Sequence, residues 1–390
     1  MNFQDIYKEI QKNKENHELG YYNCIPFMGM NRLERLIPGI EHGTYYLLTA
    51  STGVGKSKLG RYLFIHNPMM FVENEEGKDE DIKVDILYFS LEESKRKIIL
   101  SEISKYLYTK HNLVISIKEL QSVGRYNTID SSVLEKIKEA EIFVNKFISK
   151  VKIVDNIRNP TGIYKYVRDF ALTVGTYYDK ENKPLSPEEV QHVRKGTGEA
   201  YKKVSYYKKY NPKHYVIVIV DHYGLFENES GLTQWQTIGK WSSDYCLHIR
   251  DKFNFTVVGI QQQAADKERV EHNFKGDTIE SKLEPSLDGL GDNKTTARDA
   301  NIVLGIFNPD RYNILEHDGY NINRFRDRYR SMHILKDRDG SANKRVPLFF
   351  NGAVDFFKEL PELENIAGME KVYEYINQLN SNNRRRWQIQ

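Results

Sequence analysis

Short, nearly unbroken apolar runs separated by longer amphipathic stretches organise this chain. Eight runs read as strands: 45–50 (YYLLTA), 84–90 (VDILYFS), 150–155 (KVKIVD), 215–221 (YVIVIVD), 255–261 (FTVVGIQ), 301–307 (NIVLGIF), 331–337 (SMHILKD) and 346–350 (VPLFF). Between the first four lie helical patterns at 57–65, 94–108 and 132–148. Strands apolar on both faces and alternating with helices predict an α/β fold around a mostly parallel sheet flanked by helices. The last strands come closer together and are expected to extend the sheet in antiparallel fashion. Ahead of the sheet, residues 3–17 place Phe3, Ile6, Tyr7 and Ile10 on one face of an otherwise polar helix that Gly20 should end. Such a face needs a surface to dock on. Pro26, Gly29, Pro38 and Gly39 then mark a turn-rich approach to the first strand.

Two segments break the rhythm. Residues 176–213, rich in Lys, Tyr and Pro, read as an insertion, and residues 360–390 as a polar helical tail ending in NNRRRWQIQ. The expected division is an N-terminal linker or oligomerisation helix (1–20), a main α/β domain (21–355) carrying the insertion, and a basic helical tail (356–390).

Composition narrows the picture. Charged residues are 28% and hydrophobic ones 39% of 390, the balance of a soluble globular protein. No apolar run approaches the roughly 20 residues that span a membrane, and no signal-peptide pattern opens the chain. A cytoplasmic location follows as an expectation. A net charge of +3 means that any nucleic-acid site must come from local clustering of Lys and Arg. Cys24 and Cys246 stand far apart, so neither a disulfide framework nor a zinc site is expected.

Candidate chemistry begins directly after the first strand. Residues 50–57 (ASTGVGKS) match a phosphate loop except that Ala50 replaces the usual first glycine. In such a loop backbone N–H groups from Ala50, Ser51, Thr52, Gly53, Val54 and Gly55 cradle phosphates, Lys56 neutralises them, and the Ser57 hydroxyl ligates Mg²⁺. The strand before and helical pattern after supply the context that the motif needs. Asp221, ending YVIVIVD, fits a carboxylate that holds Mg²⁺ through water. Glu92, just past VDILYFS, could polarise an attacking water, though taken alone it reads first as a helix-start glutamate favoured by the dipole. Gln261 or Gln262 ends a strand where a γ-phosphate sensor could sit. Lys336 and Arg338 project to one side of their strand and Asp337 to the other. That pair suits either a solvated hairpin end or a cation finger for a neighbour's nucleotide.

In the order loop, FSLE, apolar-Asp, strand-QQ and K-x-R-x-G, these motifs resemble the RecA-fold motor domain of DnaB-type replicative helicases, which include bacteriophage members. The similarity runs from IPFMGM (25–30) to VPLFFNG (346–352), and the family commonly has alanine where Ala50 stands. The resemblance implies a RecA-like P-loop ATPase fold with an N-terminal linker helix that docks on the adjacent subunit. It implies ATP or another NTP with Mg²⁺, a homohexameric ring on single-stranded DNA, unwinding of duplex DNA, and a primase or helicase loader as partner. It assigns Lys56 to the phosphates, Ser57 and Asp221 to Mg²⁺, Glu92 as catalytic base, Gln262 as γ-phosphate sensor and coupling residue, and Lys336 and Arg338 to a neighbour's site. The sequence departs from the family in the DNA-facing loop, where Gly291 and Lys294 stand for an arginine and a glycine. Gly291, Asp292 and Lys294, with Lys267, Arg269 and Lys275 of the basic stretch 264–275, are the candidate DNA contacts. The chain as given lacks the N-terminal domain of bacterial members and the primase domain of some phage ones, compatible with a phage or plasmid origin. A RecA-fold ATPase of recombination, or a DNA-dependent switch without unwinding, is the alternative. A loading protein with a vestigial site is a third reading, which intact Lys56, Ser57, Glu92 and Asp221 oppose.

Overall fold

The computed structural model describes residues 2–19, 23–75, 82–125, 128–196, 203–264, 269, 280–291 and 293–388. All eight expected strands form, within one nine-stranded sheet. They are β1 (Tyr45–Ala50), β2 (Lys83–Ser90), β3 (Val151–Val154), β4 (His214–Asp221), β5 (Thr256–Gln262), β6 (Ile302–Phe307), β7 (Tyr329–Asp337), β8 (Lys344–Asn351) and β9 (Phe356–Glu359). Their spatial order is β9-β8-β7-β6-β1-β5-β4-β2-β3. The six strands from β6 to β3 are parallel, while β7, β8 and β9 add antiparallel pairings at one edge.

Side-chain alternation explains why the parallel strands are apolar throughout. Tyr46, Leu48, Ile86, Tyr88, Ile217 and Ile219 enter one hydrophobic cluster. Their neighbours Tyr45, Leu47, Leu87, Phe89, Val216 and Val218 enter another on the opposite face. The first cluster packs the helical segment that follows β1, through Leu59, Leu63 and Phe64. The second packs helices Pro160–Val174 and Leu247–Phe253.

The C-terminal region differs from expectation. Strand β9 pairs with β8 from Leu348↔Glu359 to Asn351↔Phe356, so the region from 356 begins as part of the sheet. Helix Ile366–Gln388 then buries Met369, Ile376 and Leu379 against Phe325, Tyr329 and Phe349. The tail is therefore bound to the fold as far as Leu379. The N-terminal helix, Phe3–Glu18, starts from a capping box between Asn2 and Asp5 and buries no residue. Phe3, Ile6, Tyr7 and Ile10 are all exposed.

The insertion is a two-stranded antiparallel hairpin, Gly175–Asp179 with Val204–Lys209, enclosing helix Pro187–Lys195. Its Lys- and Tyr-rich strand is divided by alternation. Tyr207 is buried and meets Phe253 edge-on, and Lys209 is buried with its Nζ donating to His214 O at 2.8 Å. Tyr206 and Lys208 face out. Among the described residues, no helix is long and apolar enough to cross a membrane.

One close approach tests the packing of β5. A Cβ added at Gly259 would lie 2.0 Å from Tyr223 Oη. Gly259→Ala should lower stability by roughly 1–3 kcal/mol, the usual range for overpacking. The penalty should shrink in a Tyr223→Ala background, read as a coupling energy from chemical denaturation of the four proteins.

Candidate nucleotide site

Parallel register brings the motif-bearing strand ends to one edge of the sheet. Ala50 lies opposite both Gln262 of β5 and Ile306 of β6, and Ser90 lies opposite Asp221. Carboxyl ends of parallel strands are where α/β sheets bind ligands. Ala50 belongs to β1, and its carbonyl accepts from Gln263 N at 3.0 Å. Its backbone is extended, so this position requires no glycine. The loop spends its glycines further on, at Gly53 (φ 76°) and Gly55 (φ 108°), in the left-handed region. Gly55 is the N-cap residue from which the helix starts at Lys56.

The loop borders a cavity of about 180 Å³ lined by Thr52, Gly53, Lys56, Ser57, Arg61 and Glu92 among others. Lys56 is buried to 7% exposure beside it. Ser57 Oγ donates to Asp221 Oδ1 at 2.9 Å, and Tyr88 Oη donates to Asp221 Oδ2 at 3.0 Å. Burial pushes the Asp221 carboxyl up, against the opposing pull of Arg61, Ser57 and Tyr88. A hydroxyl and a buried carboxylate, both hard oxygen donors, fit a Mg²⁺ ion.

The two glutamates after β2 have separate fates. Glu93 accepts from Arg61 at 2.6 Å and lies 2.9 Å from Lys97 Nζ. Burial raises its carboxyl, but Arg61 and Lys97 outweigh that and hold it below the usual range. Glu92 is exposed, lines the cavity, and has no hydrogen-bond or ion-pair partner among the described residues. The turn itself is tied down by Leu91 N to Asp221 O at 2.7 Å and by Ser90 Oγ to Glu93 O at 2.7 Å.

Three consecutive glutamines divide their contacts. Gln262 Nε2 bonds Thr52 Oγ1 of the loop. Gln261 is buried, donating to Asn293 O at 2.9 Å and accepting from Thr296 Oγ1 at 2.6 Å. Gln263 donates to Thr49 Oγ1 at 2.9 Å and to Ser286 O at 3.1 Å. Gly291 N donates to Gln262 O at 3.2 Å, and Lys294 is exposed at the start of the short helix Thr295–Asp299. Arg269 is exposed, whereas Lys267, Lys275 and Asp292 lie outside the described residues.

Lys336 and Arg338 sit at the other end of the sheet. Asp337 pairs with Ile302, which is level with Tyr46 at the start of β1. Arg338 N reaches Asn301 O, one residue further, so its backbone stands about 16 Å along the strands from Ala50. Lys336 Nζ donates to the carbonyls of Ala297, Arg298 and Ala300 at 2.7, 2.9 and 2.6 Å, capping helix Thr295–Asp299 within its own chain. Arg338 is exposed and makes one long contact, 3.4 Å to Arg298 O. Asp337 turns the other way, accepting from Asp339 N and Gly340 N at 3.1 Å each.

The sequence reading missed the residues that brace the loop. Arg330, 1% exposed, donates from Nε to Val54 O at 2.7 Å and from Nη2 to Asp327 Oδ1 at 3.0 Å. Arg311 Nη1 holds Thr52 O. Arg61 reaches Asp355 Oδ2 at 2.5 Å, and Lys58 reaches Asp355 Oδ1 at 2.8 Å. Local pattern carried no signal for them: Arg330 stands between the charged stretch 326–328 (RDR) and the run 331–337.

This edge geometry, with its loop, strand-end carboxylate and mixed sheet, defines a RecA-like P-loop fold. The comparisons agree on that fold. A solved ATPase domain superposes with a TM-score of 0.61 at 17% identity, covering 92% of this chain and 96% of its own. A solved DnaB-like replicative helicase, described with its interactions with primase, gives 0.60 at 18% identity over 91% of this chain and 66% of its own. The chain thus spans just under two thirds of that second protein. No family model and no curated protein match the sequence.

Asp355 offers a stability test. Burial opposes its ionisation, but Arg61 and Lys58 prevail and hold the carboxyl far below the usual range. A depressed carboxylate stabilises the fold above its unfolded value of about 3.9, and that contribution is lost as pH falls through the folded value. Asp355→Asn should cost on the order of 3 kcal/mol at neutral pH. Its deficit relative to the parent should narrow in acid, as denaturant midpoints from pH 7 downward will show.

Proposed function

We propose that this protein is an NTP-hydrolysing, DnaB-like replicative helicase that moves along single-stranded DNA as a homohexameric ring and unwinds duplex ahead of it. The observation that carries the reading is the separation of parts. Loop, Glu92 and Asp221 share one edge of the sheet, while Arg338 projects from the opposite end with little to hold in its own chain. A ring stacks such subunits head to tail, so that one subunit's Arg338 meets the next one's phosphates. The fold shared with a solved ATPase domain and a DnaB-like replicative helicase supports the same reading.

In this mechanism the loop N–H groups and Lys56 hold the phosphates, and Ser57 and Asp221 would hold Mg²⁺. That ion, when bound, neutralises charge that develops on the phosphoryl oxygens. Glu93 is neutralised by Arg61 and Lys97, which leaves Glu92 to orient the attacking water and accept its proton. Gln262 touches the loop through Thr52 and the segment before helix Thr295–Asp299 through Gly291, while Gln261 holds Asn293 and Thr296. Through these contacts the end of β5 couples nucleotide state to the position of Lys294, the exposed candidate for a DNA phosphate. Lys336 acts as a helix cap that positions Arg338. The linker helix docks its bare apolar face on a neighbouring subunit, and a primase or loader is the expected partner.

Forked-duplex unwinding separates this reading from a RecA-fold ATPase that only binds or switches. The parent protein should unwind with ATP and Mg²⁺; DNA-stimulated hydrolysis without strand separation would favour the alternative. Glu92→Gln should keep nucleotide binding, seen with a fluorescent ATP analogue, and lose roughly 10²-fold or more in hydrolysis; normal turnover would remove the base assignment.

Arg338→Ala should bind nucleotide normally but lose roughly 10³-fold in DNA-stimulated turnover. Mixed with Glu92→Gln subunits it should regain partial activity, because each supplies what the other lacks at a shared interface. Absence of any complementation would argue for a role within one chain.

A further inference from the structure

Beside the antiparallel strands, outside the nucleotide cavity, three separated segments converge. Glu284 follows the helical turn Glu280–Leu283, His317 lies in a small hairpin, and His333 lies in β7. One ligand atom from each falls within 4.8 Å of the others. Both histidines are buried, at 2% and 5% exposure, and the Nε2 of each is buried without a hydrogen-bond partner. Among the described residues the His333 nitrogen has no carboxylate within ion-pair distance either, and an orphaned imidazole nitrogen in a folded core points to an absent partner.

The surroundings have the character of a metal site. Glu280 hydrogen-bonds His317 Nδ1, the arrangement by which a carboxylate orients an imidazole so that its Nε2 faces a metal. Asp318 Oδ2 stands 3.2 Å from that Nε2, an ion-pair distance that also suits two neighbouring ligands of one ion. Arg345 takes only one oxygen from each of two carboxylates, Glu284 Oε2 at 2.6 Å and Asp318 Oδ1 at 2.7 Å. Glu280, Glu284 and Asp318 bring three carboxylates up to Arg345 and the His317 ring. Phe307 packs against both rings, 5.4 Å from His317 and 6.2 Å from His333, and gives the site an apolar wall.

We propose that His317, His333 and Glu284, with Asp318 beside His317, bind one divalent transition-metal ion of the zinc class. Two imidazole nitrogens with a carboxylate favour such an ion over Mg²⁺ or Ca²⁺, which prefer all-oxygen shells. The ion fastens the 280–284 turn to β7, and that turn leads through Ser286, held by Gln263, into the loop carrying Lys294. Metal binding here is independent of whether the chain is a helicase. It departs from the expectation of no zinc site, which rested on cysteines, because its ligands lie far apart in sequence and form no spacing motif.

The test uses the untagged full chain, loaded with Zn²⁺ and desalted, with metal content measured by mass spectrometry and thermal stability followed with Zn²⁺ or Mg²⁺. One zinc per chain, a melting temperature raised by Zn²⁺ but not by Mg²⁺, and a four-coordinate visible spectrum with Co²⁺ are expected. His317→Asn and Glu284→Gln should each weaken zinc binding by at least roughly 100-fold. A folded parent that retains no zinc and shows no Zn²⁺-specific thermal shift overturns the proposal. So does a folded His317→Asn/His333→Asn variant with the parent's zinc stoichiometry, since the ion would then sit elsewhere.

Discussion

Arg61 is the residue on which the candidate nucleotide edge depends. Its guanidinium, 3% exposed, lies between Asp355 at 2.5 Å and Glu93 at 2.6 Å. One contact ties the helix that follows the phosphate loop to the turn joining β8 and β9. The other fixes the glutamate turn after β2. A charge so deep in the fold costs several kcal/mol to desolvate unless both flanks are filled. The arrangement is therefore all or nothing, and neither carboxylate can leave without stranding the arginine. Rigidity at the loop and at the Glu92 turn thus has a common origin.

The same economy appears at strand β7. At its start Arg330 supports Val54 of the phosphate loop, and at its end Lys336 caps the helix after the 291–294 loop. About 20 Å of extended chain separates them. The end of β5 supplies a shorter connection, with adjacent glutamines in contact with the two loops. The 50–57 loop and the segment leading into helix Thr295–Asp299 are consequently joined by two strands and a few side-chain hydrogen bonds.

Much of this was legible in the sequence for a definite reason. Strands buried on both faces must be apolar at every position, so YYLLTA and YVIVIVD could hardly be anything else, and all eight expected strands formed. The phosphate loop, Asp221 and Gln262 followed from local pattern at strand ends, and the structure places them on one edge. Strand β9 escaped because FFKE at a sheet margin has no distinctive period. The bracing residues escaped because their meaning is relational. Arg61, Asp355 and Arg330 become informative only when segments nearly 300 residues apart meet. Lys336 shows the converse: its side of the strand was read correctly, but three carbonyls of its own chain already occupy its ammonium group. Nothing in LKDRDG announces those carbonyls.

One irregularity in β7 has a further consequence. The pairing of β6 with β7 slips between Val303 and Leu304, which leaves Leu335 as an extra residue on the β7 side. Beyond a bulge the two faces of a strand are counted from a new origin. Leu335 therefore acts as a phase marker for everything after it. Removing that single residue would leave the hydrophobic ladder from Tyr329 to Ile334 intact while exchanging the sides on which Asp337 and its basic neighbours emerge. The side from which Arg338 emerges is thus written in the length of one strand, independently of which charged residues it carries.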